Sequence, residues 1–415
     1  MPTAAAGTVS PMTSLQIRRL APVLALCCLT LLGSLAAGCN KKDQGTPGSK
    51  PQSGVTGDQG QAANLLGFPA FATKNTTRVA GGDPTADAAA VSLAVYPSTT
   101  VQNRPRAITL VGSDSWQAAV AAAVFISEPL RAPVLLSSKD ELPAATRDAV
   151  GQLKPAGSRS LAGAQIVKVG DIATPEGYKS VTLGGDNPAA IASSIDRLQT
   201  RVAGRPSDSV VIVSSSAPAF AMPAAAWTAK SGDAVLFVNR DTIPAETVSR
   251  LRAHQQPKIY VLGPKSTISD AVVARLRRLG TVTRISGDSA VTNAIAFAKF
   301  IDGQFGWGVV DPGHGVVFAN QERTLDAAAG AGLSASGSYG PLLLTDNSQR
   351  LPDALVQYLL DIEPGFDKDP VRGVYNHGWL LGDESSLSVE VQADIDTLLE
   401  IIPIVTIQST GAKSR

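Results

Sequence analysis

Cysteine is nearly absent from this 415-residue sequence, which contains only three cysteines and three histidines. Cys27 and Cys28 lie in an apolar segment that is predicted below to be removed, which leaves Cys39 alone in the mature chain. A single cysteine excludes an internal disulfide and a zinc site built from several thiolates. An excess of one charge is also absent, because 36 lysines and arginines stand against 35 aspartates and glutamates. The composition therefore argues against nucleic acid as a partner.

The N-terminus has the order of a secretion signal. Arg18 and Arg19 precede an apolar run over residues 20–32, and small residues then lead to the pentapeptide LAAGC, which ends at Cys39. This pentapeptide matches the bacterial lipobox and predicts that residues 1–38 are a lipoprotein signal peptide. It also predicts that the Cys39 thiol carries a lipid, which anchors the protein on the extracytoplasmic face of the cell membrane. A short transmembrane anchor is disfavoured, because roughly 20 apolar residues are needed to span a bilayer.

Two features of the export signal stay open. Translation can begin at Met1 or at Met12, and the start at Met12 gives a compact basic region. The arginine pair fits general secretion, and it also forms part of a twin-arginine motif. Residues 39–70 are rich in Lys, Gly, Gln, Ser and Pro up to about position 61. This composition predicts a flexible tether between the lipid and a folded body.

The remaining sequence repeats itself three times. The segment RVAGGD ends at Asp83, LGGD ends at Asp186 and RISGD ends at Asp288, so these aspartates are 103 and 102 residues apart. Each is followed by an Ala-containing stretch, and later by an apolar strand and a Leu-Pro or Ile-Pro pair. The period predicts three units over residues 71–178, 179–280 and 281–405, with a tail over 406–415.

Each unit alternates strand and helix patterns, most clearly in the second copy. Strands are predicted over 210–213, 235–238 and 259–262, and helices over 223–230, 244–254 and 269–279. Strands that are apolar throughout and separated by helices belong in a parallel sheet covered on both faces. The predicted fold class is therefore α/β, with three tandem Rossmann-like α/β/α repeats. Asp83 is expected to cap a helix that begins at Pro84, and Asp186 and Asp288 are expected to cap likewise.

The repeats resemble tandem cell wall binding repeat 2 modules of bacterial surface proteins, over about residues 71–405. The opening signature of that family is matched from Arg78 and from Arg284, whereas the second copy has Val181-Thr182 where the arginine is expected. Its Asp-Ala helix start is matched at Asp326 and is lost in the other two copies. The resemblance implies a monomer with three modules about a pseudo-threefold axis, without catalysis or cofactor. It also implies non-covalent attachment to an anionic wall glycopolymer or to peptidoglycan.

Ligand groups are expected at the carboxyl ends of the parallel strands, where loops and helix N-termini meet. Arginine offers a fork for phosphate or carboxylate, and helix N-termini favour anions. The same residues also serve in ion pairs and helix caps. The candidate ligand-binding residues, besides the lipidation site Cys39, are Arg78, Asp83, Asp114, Arg284, Asp288 and Asp326.

Two other functions remain as alternatives. Residues 311–315 read Asp-Pro-Gly-His-Gly, which resembles the metal-binding start of zinc N-acetylmuramoyl-alanine amidases. Such an enzyme needs three protein ligands, and the chain offers only His254, His314 and His377 as histidines. The second alternative is a solute-binding lipoprotein of a transporter, which would have two lobes and a hinge rather than three repeats.

Overall fold

The computed structural model describes residues 70–79, 81–336 and 340–404, all of which belong to one compact unit. The predicted signal peptide, Cys39, most of the predicted tether and the predicted tail lie outside the described residues. Within the described residues, no helix combines the length and the apolar character needed to cross a bilayer.

The described residues open with two strands, and a first parallel sheet follows them. An antiparallel hairpin joins β1 (Ala70–Ala72) to β2 (Thr76–Val79). The first sheet and its helices follow as α1 (Pro84–Val95), β3 (Ile108–Gly112), α2 (Trp116–Ala122), β4 (Val134–Ser137), α3 (Ala144–Leu153), β5 (Ile166–Val169) and β6 (Ser180–Leu183). Its strand order is β4-β3-β5-β6, with all neighbours parallel.

The second sheet has the same order, β8-β7-β9-β10, and is again parallel. Its elements are α4 (Pro188–Ala203), β7 (Ser209–Ser214), α5 (Pro218–Ser231), β8 (Ala234–Val238), α6 (Ala245–Ala253), β9 (Lys258–Leu262), α7 (Asp270–Leu276) and β10 (Thr281–Ile285). The three strands and three helices predicted for this copy are confirmed, and the α5 helix begins five residues earlier than predicted.

The third sheet includes β1 and β2 from the first described residues. Its own elements are α8 (Ala290–Lys299), β11 (Ile301–Asp302), β12 (Phe305–Gly306), β13 (Gly315–Asn320), α9 (Asp326–Ser334), β14 (Leu342–Thr345), α10 (Asp353–Asp361), β15 (Gly365–Phe366), β16 (His377–Leu381), α11 (Val389–Leu398) and β17 (Ile402–Pro403). The order is β14-β13-β16-β2-β1, and β2 lies parallel to β16. Strand β2 therefore takes the place that β6 and β10 have in the other two sheets.

The sequence repeat and the sheets are offset by one strand. The motif that opens each copy of the repeat includes a strand of the preceding sheet, and the helix after that strand packs on the next sheet. Helix α1 thus contacts β4 of the first sheet and α9 beside the third sheet. In the same way α4 contacts β8 and α2, and α8 contacts β14 and α5. These helix contacts link the first sheet to the second, the second to the third and the third to the first. Strand β2 pairs with β16 and precedes α1, so it connects the third sheet to the first.

Three alanine-rich helices form the shared core. Helices α2, α5 and α9 directly follow β3, β7 and β13, and all three helices contact one another. The α9 helix reads DAAAGAGLS and all nine of its residues are buried. Small side chains let helix axes approach closely, and burial of apolar surface contributes about 25 cal/mol per Å². The structure is therefore mixed α/β with parallel sheets flanked by helices, as predicted; the pseudo-threefold axis remains a prediction.

A glycine in each repeat motif has a steric cause. Gly81, Gly185 and Gly287 stand two residues before a helix cap, where an added Cβ would lie 2.3 to 2.5 Å from backbone atoms of that helix's first turn. Such a distance is far below van der Waals contact, so only glycine lets the strand turn into the helix here. The recurring glycine in the sequence thus reports a recurring close approach.

The predicted helix caps are confirmed at one of three positions. Asp83 caps α1, because its side chain accepts hydrogen bonds from the Thr85 and Ala86 amides and Pro84 follows. The predictions for Asp186 and Asp288 are wrong by one residue, since Asn187 caps α4 and Ser289 caps α8. Counting back from the cap, Asp186 and Asp288 correspond to Gly82 and lie in the turn itself.

Candidate functional site at the carboxyl end of the third sheet

Three of the six predicted ligand residues meet at one edge of the third sheet. Strands β2, β16 and β13 are parallel neighbours, so their carboxyl ends lie side by side. Arg78 is near the end of β2, Asp83 follows it, and Asp326 begins the helix after β13. Arg284 and Asp288 belong instead to the second sheet, and Asp114 to the first. The predicted residues thus divide among three separate places.

A buried ion-pair triad stands at the centre of this edge. The Nε atom of Arg323 lies 2.6 Å from Oδ2 of Asp326, and an Nη atom of Arg323 donates to Asp87. Both carboxyl side chains are fully buried, whereas the arginine side chain is 18% exposed. Asp87 lies in α1, whereas Arg323 and Asp326 lie in the segment from β13 to α9. The triad therefore joins α1 to the third sheet.

One positive charge serves two carboxyl groups in this triad. The pKa of Asp87 is raised to about 7, first by burial and then by the neighbouring Asp326, against the opposing effects of Arg323 and the Gly81 amide. Burial likewise raises the pKa of Asp326, against the effect of Arg323. Among the described residues, Oδ1 of Asp87 has no hydrogen-bond partner. Near neutral pH the triad therefore takes up or releases one proton. Its net charge is zero when one carboxyl group is protonated and minus one when both are ionised.

The Asp87→Asn variant is expected to flatten the pH dependence of stability. The pKa of Asp87 is about 7 in the folded state, above the ordinary aspartate value of 3.8 that holds in the unfolded chain. The folded protein thus holds a proton that the unfolded chain releases, and the free energy of unfolding falls as pH rises through this window. Since one pKa unit is about 1.4 kcal/mol, we expect a loss on the order of 2–4 kcal/mol in the wild type.

Urea unfolding at about pH 5 and about pH 8 measures this difference, which asparagine should reduce by more than half. The matched control is Asp148→Asn at an exposed carboxylate of α3. Equal pH dependence in the wild type and the Asp87→Asn variant would contradict the assignment of the proton to the triad.

Arg78 is a buried clamp on the loop between β16 and α11. Its guanidinium donates to Oε1 of Gln392 at 2.9 Å, to the carbonyls of Gly382 and Asp383 at 3.0 Å and to the carbonyl of Ser388 at 3.3 Å. The side chain is 3% exposed. Arg78 thus ties the closing strand to the third sheet; a ligand role for it remains a prediction.

Arg284 repeats this clamp in the second sheet. It donates to the carbonyls of Gly263 at 2.7 Å and Ile268 at 2.8 Å, and pairs with Asp270 at 3.2 Å. The first sheet has Thr182 at this place and, unlike the other two, no α-helix between β5 and β6. An arginine there would have no loop of this kind to hold, which gives a physical reason for the departure from the repeat pattern.

The remaining predicted ligand residues are exposed. Asp114 follows β3 and Asp288 follows β10. Asp87 and Arg323, which were not predicted as site residues, form the buried triad with Asp326. The signal for Asp87 was a single acidic residue inside the alanine-rich helix α1, where apolar neighbours indicate burial.

No protein-family model matches the sequence, and no curated protein sequence matches it. Solved structures do match. Cwp6 from Clostridium difficile is similar with a TM-score of 0.63 at 16% identity, covering 79% of this chain and 48% of that chain. Cwp8 from Clostridium difficile is similar with a TM-score of 0.60 at 18% identity, covering 82% of this chain and 54% of that chain.

The chain shares the α/β fold of these two proteins. It spans about half the length of each neighbour. At identities of 16% and 18%, this likeness is one of fold.

The Asp-Pro-Gly-His-Gly motif lies at the opposite, amino end of the third sheet. The Gly313 and His314 amides donate to Oδ1 of the buried Asn376, and Gly313 has a positive φ of 109°. The ring of His314 faces Asp311, whereas His377 pairs with Thr77. In the part of the chain that the structure describes, no three His, Cys, Asp or Glu side chains are grouped to hold a metal. The chain bends at residues 311–312 and then enters β13.

Proposed function

We propose that the protein is a non-catalytic cell-wall-binding lipoprotein whose three α/β units attach non-covalently to an anionic wall glycopolymer. The observation that carries this proposal is the closed arrangement of three like-ordered sheets, in the fold of the cell wall proteins Cwp6 and Cwp8. The repeat resemblance over residues 71–405 supports the same function. Each unit offers its own loops at the carboxyl ends of the strands, so several weak contacts with one polymer can add up.

Lipidation of Cys39 is the second part of the proposal. The lipobox places the lipid about thirty residues before the first strand, and the polar composition between them is that of a flexible chain. Such a tether would span tens of ångströms, since its mean length grows as about 5–6 Å times the square root of the residue number. The protein would then link the membrane to the wall, with the lipid at one end and the folded body at the other.

Sedimentation with isolated wall sacculi tests the wall-binding part. Residues 46–415, which contain the whole compact unit and lack Cys39, should pellet with untreated sacculi. After chemical removal of the secondary polymers, the sacculi should retain little of the protein. The proposal fails when stripped and untreated sacculi retain it equally, or when neither retains it.

The Cys39→Ala variant tests the lipid. A diacylglyceryl group buries many methylenes at about 0.8 kcal/mol each, so the wild-type chain should partition almost entirely into the detergent phase of Triton X-114. The variant should move to the aqueous phase or keep an uncleaved signal peptide. Cys28→Ala is the matched control and should partition like the wild type. Detergent partitioning of a cleaved Cys39→Ala protein would contradict lipidation at this residue.

A further inference from the structure

A basic groove lies on the second unit between α6 and α7. Its volume is about 520 Å³, and Arg252, Arg275 and Arg278 are among the residues that line it. The apolar side chains that line it are Ile243, Val248 and Leu279. Among the residues that the structure describes, no aspartate or glutamate lines the groove. It therefore combines concentrated positive charge with an apolar surface.

The three arginines are uncompensated within the described residues. Arg275 donates to the backbone carbonyl of Asp241 at 3.4 Å, and neither Arg252 nor Arg278 has an ion pair there. Arg275 and Arg278 are three residues apart, and like charges at helical spacing repel each other. The groove thus holds its positive charges together without a counter-ion from the described chain, and an anionic ligand would relieve the repulsion.

The fold does not require arginine at these positions. Counted from the proline that precedes α6 and α10, Arg252 corresponds to Leu360 of the third unit. Counted from the serine that caps α7 and α11, Arg275 and Arg278 correspond to Asp394 and Thr397. The third unit thus builds the same pair of helices with one apolar, one acidic and one neutral side chain. Of these two units, only the second has positive charge at these three positions.

The first unit also lacks a basic groove at the corresponding place. The corresponding cavity beside α3 is lined by Arg147, Glu176 and Tyr178 among others, and has Gly151 at the place of Arg252. One positive and one negative side chain leave this cavity without a net charge. The contrast identifies the groove of the second unit as chemically distinct from both of its counterparts.

We propose that the groove between α6 and α7 binds phosphodiester groups of an anionic polymer. Guanidinium forks bind phosphate oxygens in pairs, and the tetrahedral phosphate can accept from more than one arginine at once. The apolar wall suits the carbon face of a sugar or glycerol unit between two phosphates. This inference rests on the proposed wall-binding function for the origin of the polymer, and it adds the site and the chemistry of recognition.

Equilibrium binding of residues 46–415 to purified poly(glycerol phosphate) tests the proposal. The triple variant Arg252→Gln, Arg275→Gln and Arg278→Gln should bind at least about tenfold more weakly, with a shallower dependence of affinity on salt, as for other polyelectrolyte contacts. The matched control removes equal charge from exposed positions, through Arg159→Gln, Arg201→Gln and Arg372→Gln. It should lose less than about threefold. Equal losses in the two variants, or no binding by the wild type, would overturn the proposal.

Further measurements distinguish a polymer from a lipid headgroup as the source of phosphate. They also distinguish the groove proposal from the wall-binding proposal. Vesicles of phosphatidylglycerol and phosphatidylcholine in equal parts should bind more weakly than the polymer; tighter binding to vesicles would overturn a polymer ligand. Unchanged unfolding midpoints in both variants exclude misfolding, since all six side chains are exposed. If the groove variant sediments with untreated sacculi like the wild type, the groove proposal fails while wall binding stands. Polymer binding without sacculus binding supports the groove and contradicts wall attachment.

Discussion

Replacing Arg323 with methionine is expected to lower the free energy of unfolding by about 3–5 kcal/mol near pH 8, because two buried carboxyl groups lose their shared counter-ion. The pKa values of Asp87 and Asp326 are already raised by burial. Without the guanidinium, both carboxyl groups must hold protons, which becomes harder as pH rises. The loss should therefore shrink near pH 5, where protonation is easier. Urea unfolding at the two pH values measures both effects.

Two further variants locate this effect in the triad. Arg277→Met removes an exposed arginine and should change the stability by less than about 0.5 kcal/mol. The triple variant Arg323→Met, Asp87→Asn and Asp326→Asn removes all three charges and should recover most of the loss, since no unpaired buried charge remains. An Arg323→Met protein as stable as the wild type at pH 8 would show that the carboxyl groups do not depend on this arginine.

The second large effect is expected at Arg78. The Arg78→Met variant leaves three backbone carbonyls and the Gln392 side chain without their donor, and unsatisfied buried groups cost about 1–3 kcal/mol each. We expect a total loss of about 3–5 kcal/mol, allowing for partial access of water. The loss should appear as easier release of β2 from the third sheet, which hydrogen exchange of the Val79 amide would detect.

Arg284→Met is the matched control for this prediction. Its guanidinium makes a similar set of bonds, but the side chain is 20% exposed, so water can replace the lost donor. We expect a loss of about 1 kcal/mol. Because this variant should remain folded, it also tests the predicted ligand role of Arg284 in polymer binding. Losses of the same size in the two variants would contradict the role of burial.

The strand and helix order could be predicted from the sequence because the apolar strands and the repeat motifs are local signals. Closure of the third sheet could not, since pairing of β2 with β16 joins residues about three hundred positions apart. The motif at Arg78 looked like the beginning of a unit, whereas its strand completes the last sheet. A repeat has no marked beginning in sequence, so only the pairing decides which strand belongs to which sheet.

The candidate site shows the same division between local and distant information. The cap at Asp83 was predictable because Asp-Pro is a local helix start. The triad was not, because Asp87 and Arg323 are 236 positions apart. Arg78 and Arg284 were predicted as ligand groups from their chemistry alone. The structure places both guanidiniums against backbone carbonyls, which is a contact that arginine chemistry permits equally well.

The most direct test of wall attachment is equilibrium binding between residues 46–415 and the secondary polymer released from sacculi of the source bacterium. We expect saturable binding that weakens with salt, and we expect the free polymer to compete and release the protein from untreated sacculi. Absence of binding to the released polymer, together with retention of the protein by stripped sacculi, would contradict recognition of an anionic glycopolymer.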